Sequence, residues 1–457
     1  MKNYNYKKNN KKIYNKWIFN KYFNSNYNKY KKSYYLLLPP PNITGDLHIG
    51  HILNFTILDI YARIKRMKGY NVCWIPGTDH ASIATEIKII KELKKNGINV
   101  NNLSKKKFKT FLFNWAKKYN KIIIDQLKSI GCSCDWEKFK FTMDKINYNS
   151  VIKVFIYLYK KGLIYKKYRI VNWDIVAKTT ISDEEVIYKK QINNLYYIKY
   201  FTEDKKDYLV ITTTRPETIF GDTAICINPT DKRYKKIINK KIIVPIVNRL
   251  IPIITDKYVD KNIGTGCLKI TPAHSKKDFK IYKNNKKEIN IINIFNDDGT
   301  MNENCNNYKG KDRFIVREKI YKKLKKLGYL IKKEKIFNKI GYSERTNTII
   351  EKKLSLQWYL KMKYFIEPTL KIINKIKIFP KKKYINLFYK WIKNLKDWNI
   401  SRQLIWGHQI PIYYYNNNVI VATSIKGAIN IIKKKYNKNI KKHEIKRDKN
   451  VLDTWFS

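Results

Sequence analysis

The first third of this 457-residue chain contains two short apolar runs, and between them apolar residues recur every three or four positions, as in a helix. The runs YYLLL (34–38) and VCWI (72–75) predict buried strands, each followed by proline. A strand, a helix and a strand within about forty residues predict a βαβ unit, and hence a parallel sheet. Further helical patterns cover 81–95, 105–130 and 146–161. The first helix carries one apolar stripe and ends near Gly69; the stripe consists of Ile49, Leu53, Ile57, Ile60, Ile64 and Met67.

From about residue 190 to 335 the pattern changes to short β-rich runs separated by turn residues. These runs are YYIKYF, YLVITTT, TAICIN, IIVPIV and CLKITPA. They predict a separate, mostly β domain inserted into the parallel-sheet domain. The apolar run in VLDTWFS, at 451–457, indicates the start of another strand. We therefore predict an α/β chain with a basic lead-in (1–32), a first half (33–189), an inserted domain (190–335) and a resumed segment (336–457).

The charge and the cysteines of the chain limit which binding partners and which cellular compartment are expected. Lys and Arg total 96 against 36 Asp and Glu, a net charge of +60, which favours a polyanionic partner such as nucleic acid. Biased codon usage is the alternative, because lysine also fills ordinary helices and loops. None of the six cysteines forms a C-x-x-C pair, so neither zinc nor a disulfide framework is expected. The N-terminus has no apolar signal segment, and no run reaches membrane-spanning length, so we expect a cytoplasmic chain without a membrane partner.

Two histidines follow the first predicted strand in PPPNITGDLHIGHIL (39–53). Ligands of open α/β sheets bind beyond the carboxyl ends of the strands, where this loop lies. His48 and His51 are three residues apart at the start of the helix, so they share one helical face, and the helix N-terminus adds N–H donors. This arrangement suits charge developing on a triphosphate, and Gly50 would let a nucleotide approach the backbone. The alternative is a pair of capping or structural histidines.

Together with WIPGTDHASIATE (74–86), this segment resembles class I aminoacyl-tRNA synthetases, and more narrowly those specific for valine. Gly77-Thr78-Asp79-His80 stands where the isoleucine and leucine enzymes place G-W-D. The resemblance spans nearly the whole chain. It continues through VNWDIVAKTTISDEEV (171–186), TTRPETIFGDTAICINPTD (213–231), GTGCLKITPAH (264–274), SERTNTIIEKKLSLQWYLKM (343–362), WNISRQLIWGHQIP (398–411) and VLDTWFS (451–457).

The resemblance implies a Rossmann-like catalytic domain that activates an amino acid with ATP and Mg²⁺ and then esterifies the tRNA 3′ end. It implies that His48 and His51 are catalytic and that Asp79 holds the substrate ammonium. The ATP-binding residues implied are Thr44, His48, Gly50 and His51; those implied for valine are Pro40, Pro41, Asn42, Asp79 and Trp455. Alternatives are that Asp79 caps the next helix, that Pro41 only stiffens the loop and that Trp455 belongs to the core.

A valine pocket rejects the nearly isosteric threonine by only ~10², a figure known from valine-specific enzymes themselves. The resemblance therefore implies that the β-rich insert is a hydrolytic editing domain. Arg215 and Lys269 would bind the 3′-terminal adenosine and phosphate region, and Asp278 the ammonium. The implied editing residues are Thr213, Thr214, Arg215, Lys269, Thr271, Ser275 and Asp278. Each is otherwise an ordinary strand or loop polar group.

Two positions depart from the family pattern in this insert. The family usually reads T-P-A-H-D, so Ser275 stands where a carboxylate is expected to recognise the threonine hydroxyl, and Ile263 replaces an aromatic residue. A serine hydrogen bond lacks charge assistance, so editing is expected to be weakened.

The family's K-M-S-K-S loop, anticodon-binding domain and coiled coil are expected beyond Ser457, which makes this an N-terminal half. The expected partners are tRNA(Val), valine, ATP and a separately encoded C-terminal half. Zinc is not expected, because Asp174 stands where some relatives carry a cysteine. Two alternatives stay open: an H-x-G-H nucleotidyltransferase, which leaves the insert unexplained, and a non-catalytic or deacylase-only tRNA-binding fragment.

Overall fold

The structure is a computed structural model, and it describes residues 6–26, 28–238, 240–437 and 439–457. The chain divides into two compact units. The first consists of the residues up to Ile164 together with Ile400–Ser457, and the second of Tyr165–Asn399. The predicted lead-in (1–32) lies partly outside the described residues, and its described part begins with a helix.

The first unit contains the predicted βαβ element. Its elements before the second unit are α1 (Tyr6–Phe19), β1 (Ser33–Leu36), α2 (Ile49–Met67), β2 (Asn71–Trp74), β3 (Gly77–Thr78), α3 (Ser82–Lys95), α4 (Lys105–Ser129), β4 (Lys140–Phe141) and α5 (Lys145–Lys160). β1 and β2 pair in parallel, with Tyr35 opposite Cys73, and β3 pairs in parallel with β4. The predicted βαβ unit and the three helices that follow it are therefore confirmed.

One face of the β1–β2 pair is buried in the core of the first unit. Trp74 of β2 packs there with Phe55 and Ala62 of α2 and with Leu112 of α4. The apolar stripe predicted on α2 lies elsewhere on that helix, and its side chains are exposed. α2 therefore uses different apolar positions for the core.

The second unit is rich in strands. Its elements are β5 (Ile164–Asp174, beginning at the last residue of the first unit), β6 (Thr179–Ile181), β7 (Val186–Phe201), β8 (Tyr208–Thr213), β9 (Ala224–Ile227), β10 (Lys241–Ile243), β11 (Leu250–Thr255), β12 (Cys267–Ile270), α6 (Lys276–Asn284), α7 (Arg313–Lys326), β13 (Leu330–Ser343), β14 (Glu351–Leu360), α8 (Lys363–Ile372), α9 (Lys381–Lys393) and β15 (Trp398–Asn399). The sheet orders are β10-β11-β9-β12, β13-β7-β8 and β15-β14-β5-β6.

Long antiparallel pairing holds the second unit together. β7 and β13 pair from Val186–Ser343 to Ile198–Leu330. The segment between these two strands carries the main core, in which strand residues such as Ile211 and Ile225 meet Val316 and Ile320 of α7. The β-rich runs predicted from the sequence form β7 to β10 and β12.

The chain returns to the first unit as β16 (Ser401–Arg402), β17 (Ile412–Tyr415), β18 (Asn418–Val421), α10 (Ile425–Tyr436), β19 (Lys446–Arg447) and β20 (Val451–Leu452). The strand predicted in VLDTWFS is only two residues long. It ends because Asp453 begins a 3-10 turn over Thr454–Phe456, with its carboxylate accepting the N–H of Trp455. In the described part of the chain, no helix combines the length and the apolar character that crossing a membrane requires.

Candidate active site

Two loops of the first unit meet beside the start of α2. Asn42 and Asp79 form a parallel bridge, the N–H of Ile43 donates to the Asp79 carbonyl (3.0 Å) and the N–H of Asp79 donates to the Pro41 carbonyl (2.9 Å). Pro41 is buried, whereas Pro40 is exposed. The structure therefore brings the predicted loop residues next to Asp79.

His48 and His51 are both tied to the backbone of the first helical turn. His48 is the N-cap of α2, and its Nδ1 accepts the N–H of Gly50 (3.1 Å). His51 Nδ1 accepts the N–H of His48 (3.3 Å), and the two rings stack with centroids 3.8 Å apart. A neutral imidazole whose Nδ1 accepts carries its proton on Nε2. Each ring therefore has an Nε2–H donor without a partner among the described residues.

The surroundings of His51 disfavour its charged form. Partial burial, and after it the neighbouring His48 ring, lower the pKa of His51 below its ordinary value. Two stacked imidazoles are thus suited to donate hydrogen bonds to an arriving anion. Thr44, also predicted to bind ATP, is half-buried in the loop before them.

The His48 ring leaves little room for a side chain at Gly50. A Cβ atom at this position would lie 3.0 Å from Cε1 and 3.1 Å from Nδ1 of His48. A side chain here would push the imidazole out of its place. The reason given by the sequence, close approach of a nucleotide, stays a prediction.

Asp79 offers one carboxylate oxygen to a ligand. Its Oδ1 accepts the N–H of Ala81 (3.2 Å) and the hydroxyl of Thr142 (3.3 Å). Its Oδ2 has no hydrogen bond within the described ranges, and the side chain is 16% exposed. The alternative that Asp79 caps the next helix is wrong, because the N-cap of α3 is Ala81, a non-glycine residue at φ 49°.

A buried histidine that the sequence analysis missed fixes the backbone beside Asp79. The His80 ring is hydrogen-bonded to Thr142 Oγ1 through Nδ1 (2.7 Å) and to Ser82 Oγ through Nε2 (2.9 Å). The backbone carbonyl of His80 accepts the indole N–H of Trp406 (2.8 Å). Both ring nitrogens are used, so His80 holds Asp79 in position. Its place in the T-D-H triplet was a usable signal.

A buried carboxylate joins α3 to the returning segment, and it also escaped prediction. Glu86 Oε2 accepts the backbone N–H groups of Ile405 and Trp406, both at 2.9 Å. Burial raises the pKa of Glu86 to about 7. The nearby His408 is hydrogen-bonded through Nε2 to the Thr142 carbonyl (3.0 Å), and burial lowers its pKa to about 3.

Trp455 lies on the surface of the first unit. It is 76% exposed, so the alternative that it belongs to the core is wrong. Asn42, on the loop before α2, is exposed as well. A role for these side chains in valine binding stays a prediction.

The predicted editing residue Lys269 is buried in the second unit. Its Nζ donates to Asp222, to Thr218 Oγ1 (2.8 Å) and to Thr271 Oγ1 (2.8 Å). Asp222 also accepts the hydroxyl of Tyr200 (2.7 Å). All three ammonium protons are used, so in this arrangement Lys269 cannot also bind a tRNA phosphate as expected. Asp222 was missed because no local pattern distinguishes it.

Arg215 is likewise paired within the second unit. Its guanidinium contacts Glu351 (2.6 Å) and Glu217 (3.2 Å), and these carboxylates also bind Arg313 (2.8 Å) and Arg317 (2.8 Å). The Arg215 side chain remains 28% exposed. This charge network fixes the loop that follows β8, where an anion could still reach the exposed part of Arg215.

The threonines before Arg215 have different positions. Thr213 Oγ1 accepts the N–H of Arg215 (3.0 Å), which makes it a turn residue. Thr214 lines a cleft of about 200 Å³. The other lining residues are Asn193, Asn194, Tyr196, Phe314, Arg317 and Glu318.

Ser275 and Asp278 satisfy each other at the start of α6. Ser275 is the N-cap; its hydroxyl donates to Asp278 Oδ1 (2.8 Å) and accepts the N–H of Asp278 (3.3 Å). Asp278 Oδ2 accepts the N–H of Thr271 (2.9 Å), and burial raises the pKa of Asp278. Both carboxylate oxygens of Asp278 therefore accept hydrogen bonds within the second unit. This agrees with the alternative that Asp278 is an ordinary polar group of the loop. Ile263, the other departure from the family pattern, is exposed.

Potential metal ligands do not cluster in the described part of the chain. No group of three or more His, Cys, Asp or Glu side chains there could hold a metal ion. The six cysteines are free thiols, and five of them are buried.

The chain belongs to the class I aminoacyl-tRNA synthetases. The family model described as tRNA synthetases class I (I, L, M and V) matches residues 12–457. The fold is accordingly the class I synthetase fold, a mixed α/β architecture with several sheets.

The resemblance to valine-specific members is confirmed by curated relatives. The chain is 50% identical to the valine--tRNA ligase of Christiangramia forsetii, covering 99% of this chain and 52% of that one. It is 48% identical to the valine--tRNA ligase of Porphyromonas gingivalis and 49% identical to that of Bacteroides fragilis, covering 93% of this chain and 49% of each relative. The chain thus spans about half the length of the curated relatives that it matches.

Among solved structures, the chain is similar to the ternary complex of Agrobacterium radiobacter K84 agnB2 LeuRS-tRNA-LeuAMS. The TM-score is 0.45 at 16% identity, over 98% of this chain and 58% of that one. This likeness is too low to bear on the site.

Proposed function

We propose that this chain contributes the activating site of a valine–tRNA ligase, which forms valyl-adenylate from valine and ATP and transfers valine to tRNA(Val). The observation that carries the proposal is the pair of Nε2–H donors of His48 and His51 at the start of α2, beside a half-open carboxylate at Asp79. Donors and carboxylate lie on loops that are hydrogen-bonded to each other. They would place a triphosphate and an ammonium in one site.

In the first step, a carboxylate oxygen of valine attacks the α-phosphorus of ATP, a P–O bond forms, and the bond to pyrophosphate breaks. Negative charge grows on the phosphate oxygens in the transition state. His48 and His51 donate to that charge, and the positive end of the α2 dipole also stabilises it. Asp79 Oδ2 binds the valine ammonium, and Mg²⁺ enters with ATP as part of the substrate.

In the second step, a terminal ribose hydroxyl of tRNA(Val) attacks the carbonyl carbon of valyl-adenylate, and AMP leaves. Pro40, Pro41 and Asn42 would line the valine pocket, with Trp455 closing over it. The net charge of +60 favours binding of the polyanionic tRNA. A separately encoded C-terminal half in the cytoplasm would complete the enzyme.

The second unit supports an additional proposal, which is hydrolysis of threonyl-tRNA in an editing domain over about 190–335. This domain would be inserted after the first half of a Rossmann-like catalytic domain (33–189), and 336–457 would hold a connective segment and the start of its second half. The observation in favour is the cleft of about 200 Å³ at Thr214, close in sequence to the partly exposed Arg215. The buried group of Lys269, Asp222 and Thr271 would act by holding Thr218, three residues after Arg215, in place. Ser275 would read the threonine hydroxyl less strongly than a carboxylate.

Valine-dependent ATP–pyrophosphate exchange tests the activating site. The chain is assayed alone and mixed with the separately expressed part of the Christiangramia forsetii enzyme that it does not match. His48→Ala and His51→Ala should each slow exchange ~10²-fold, as for loss of one transition-state donor. His443→Ala, which changes an exposed histidine of the first unit, is the matched control.

Rates within twofold of the parent for both site variants would contradict the histidine assignment. Exchange stimulated by isoleucine rather than valine would contradict the substrate. Hydrolysis of threonyl-tRNA without any exchange would favour the deacylase-only alternative.

A further inference from the structure

A series of side-chain hydrogen bonds runs through the first unit from Asp79 to the turn at Thr454. Thr142 Oγ1 lies 3.3 Å from Asp79 Oδ1 and 2.7 Å from His80 Nδ1. His80 Nε2 lies 2.9 Å from Ser82 Oγ, which in turn lies 2.9 Å from Thr454 Oγ1. We use "the polar relay" for Thr142, His80, Ser82 and Thr454, which together connect the carboxylate to the returning segment.

The Asp79 end of the polar relay determines which nitrogen of His80 carries the proton. Asp79 Oδ1 lies 3.1 Å from His80 Nδ1, and a nitrogen lone pair facing a carboxylate oxygen at that distance would be repelled. A proton on Nδ1 removes the repulsion and is donated to Thr142 Oγ1. Thr142 Oγ1 also accepts the backbone N–H of His80 (2.9 Å), and its own proton is donated to Asp79 Oδ1. His80 is therefore the Nδ1–H tautomer, the opposite of His48 and His51.

The other end of the polar relay continues in the same direction. With the proton on Nδ1, His80 Nε2 is an acceptor, and the Ser82 hydroxyl donates to it. The Ser82 oxygen accepts the hydroxyl of Thr454. Each donor thus points along the relay toward Asp79, and such aligned hydrogen bonds polarise one another. His80 and Ser82 are at most 2% exposed, so water competes little for these bonds.

The polar relay decides which oxygen of Asp79 can meet a ligand. Oδ1 accepts the Thr142 hydroxyl and the N–H of Ala81 (3.2 Å), so the carboxylate cannot turn without losing both hydrogen bonds. Oδ2 is the oxygen that remains for an ammonium group. A hydroxyl that touches only Oδ1 therefore fixes the geometry of the ion pair at Oδ2.

The far end of the polar relay holds the turn that carries Trp455. Asp453 binds the buried guanidinium of Arg402 through its carboxylate, which fixes the first residue of this turn. Thr454 lies between that anchor and Trp455, and its hydroxyl binds Ser82. The same relay that orients Asp79 thus also holds the residue next to Trp455.

We propose that the polar relay positions the amino-acid site: it holds Asp79 so that Oδ2 receives the valine ammonium, and it holds the Trp455 turn at the same time. Thr142, His80, Ser82 and Thr454 act through Asp79 and Trp455, so they are positioning residues. This inference rests on the proposed function and adds these four residues to the recognition of valine.

The tautomer of His80 is the first test, and it needs only the full chain labelled with ¹⁵N-histidine. Long-range ¹H–¹⁵N correlation spectra distinguish the two tautomers in each of the six histidine rings. The signals of His80, assigned by their loss in His80→Asn, should show the proton on Nδ1. His48 and His51 should show the proton on Nε2 in the same spectrum. A His80 proton on Nε2 would overturn the proposal.

Valine-dependent pyrophosphate exchange, with the same two polypeptides as for the histidine variants, separates positioning from general damage. Thr142→Val removes the hydroxyl, so it should raise the KM for valine ~10-fold and leave kcat and the KM for ATP within about twofold. Thr142→Ser restores the hydroxyl and should return the KM for valine to within about twofold of the parent. Thr110→Val, which removes a hydroxyl bonded to the Lys106 carbonyl of its own helix, is the matched control.

Thr454→Val tests the far end of the polar relay, independently of any effect of Thr142→Val on folding. It removes the hydroxyl that binds Ser82, so it should shift the His80 Nε2 resonance. The KM for valine should rise only ~2–3-fold, because the change acts through two intervening side chains. An unchanged KM for valine in Thr142→Val, or an unchanged His80 Nε2 resonance in Thr454→Val, would overturn the proposal.

Failure of the proposed function would be recognised separately, because valine binding can be followed without exchange as a shift of the His80 ring signals. Valine binding that Thr142→Val weakens ~10-fold, without any exchange, would support the positioning role and contradict the activity. Exchange by the parent with an equal KM for valine in Thr142→Val would support the activity and contradict the positioning role.

Discussion

Replacing Glu86 by glutamine should make the first unit more stable above neutral pH. Glu86 lies inside the unit, where its Oε2 accepts two backbone N–H groups of the returning segment. A glutamine amide oxygen can accept the same two hydrogen bonds without a charge. The variant therefore removes the cost of a buried carboxylate while it keeps the contact.

The magnitude follows from the pKa. Burial raises the pKa of Glu86 from 4.5 to about 7, and each pH unit in that interval corresponds to about 1.4 kcal/mol, so ionised Glu86 costs the folded state ~3 kcal/mol. Between these two pH values the folded chain holds a proton that the unfolded chain releases. The contribution of Glu86 to the free energy of unfolding is thus fully present below pH 4.5, falls as the pH rises and is lost above about pH 7.

Urea unfolding at pH 5 and pH 8, followed by tryptophan fluorescence, measures the effect as a difference between variant and parent. Glu86→Gln should be stabilising by ~3 kcal/mol at pH 8 and by less than ~1 kcal/mol at pH 5. His408, whose lowered pKa destabilises the folded state as the pH falls below its ordinary value, is unchanged and cancels. Glu92→Gln, on the exposed side of the same helix, is the control. Equal differences at both pH values would refute the assignment of the charge cost to Glu86.

Three further substitutions test the two sites. Gly50→Ala should change stability little, because the helix preference of alanine is offset by the weakened His48 cap, but should slow pyrophosphate exchange ~10-fold by displacing the His48 ring; an unchanged rate would contradict this reading. Asp79→Asn should raise the KM for valine ~10–100-fold with a smaller change in kcat, since it removes a ground-state ion pair; a loss in kcat alone would show that Asp79 does not bind the ammonium. Ser275→Asp keeps the helix cap and should speed single-turnover hydrolysis of threonyl-tRNA ~10-fold at pH 8, without speeding hydrolysis of valyl-tRNA. The gain should be smaller at lower pH, because the new carboxyl and that of Asp278 would then share a proton. Equal rates of parent and variant on threonyl-tRNA would mean that Ser275 is only a helix cap.

Local patterns were sufficient for the parts of the fold that local physics determines. The spacing of apolar residues predicted α2 to α5, and the short apolar runs predicted β1 and β2, because period and length distinguish helix from strand. The same patterns could not identify the contact of Glu86 with Ile405 and Trp406. Those residues are more than three hundred positions away, and nothing beside Glu86 in the sequence distinguishes it from a surface glutamate.

The apolar period of α2 shows a second limit of sequence reasoning. Periodicity establishes that a helix has an apolar row, but it does not say what covers that row. Phe55 and Ala62 fill the core of the first unit, while the more regular row from Ile49 to Met67 stays exposed. Apolar spacing alone therefore cannot tell which of two apolar faces of a helix enters the core.

Motif resemblance in the second unit identified polar residues without their pairing. Lys269 and Thr271 were expected to face a ligand, yet they bond to each other and to Asp222. Whether a polar side chain is satisfied internally depends on the strands that the fold brings beside it. Resemblance specifies residue identity at a position, and only the fold specifies which of its protons are already used.

The same hydrogen bond of His48 serves both the helix cap and the proposed phosphate chemistry, so these two roles are not alternatives. Acceptance of the Gly50 N–H by Nδ1 satisfies the helix start and at the same time places the remaining proton on Nε2. His51 repeats this with the N–H of His48. A substituent that only capped the helix, such as serine, would preserve the fold and lose the donor. A histidine that did not cap would be free to adopt the other tautomer and present an acceptor to the phosphate. Stability of the first turn and readiness for a triphosphate therefore depend on the same two hydrogen bonds.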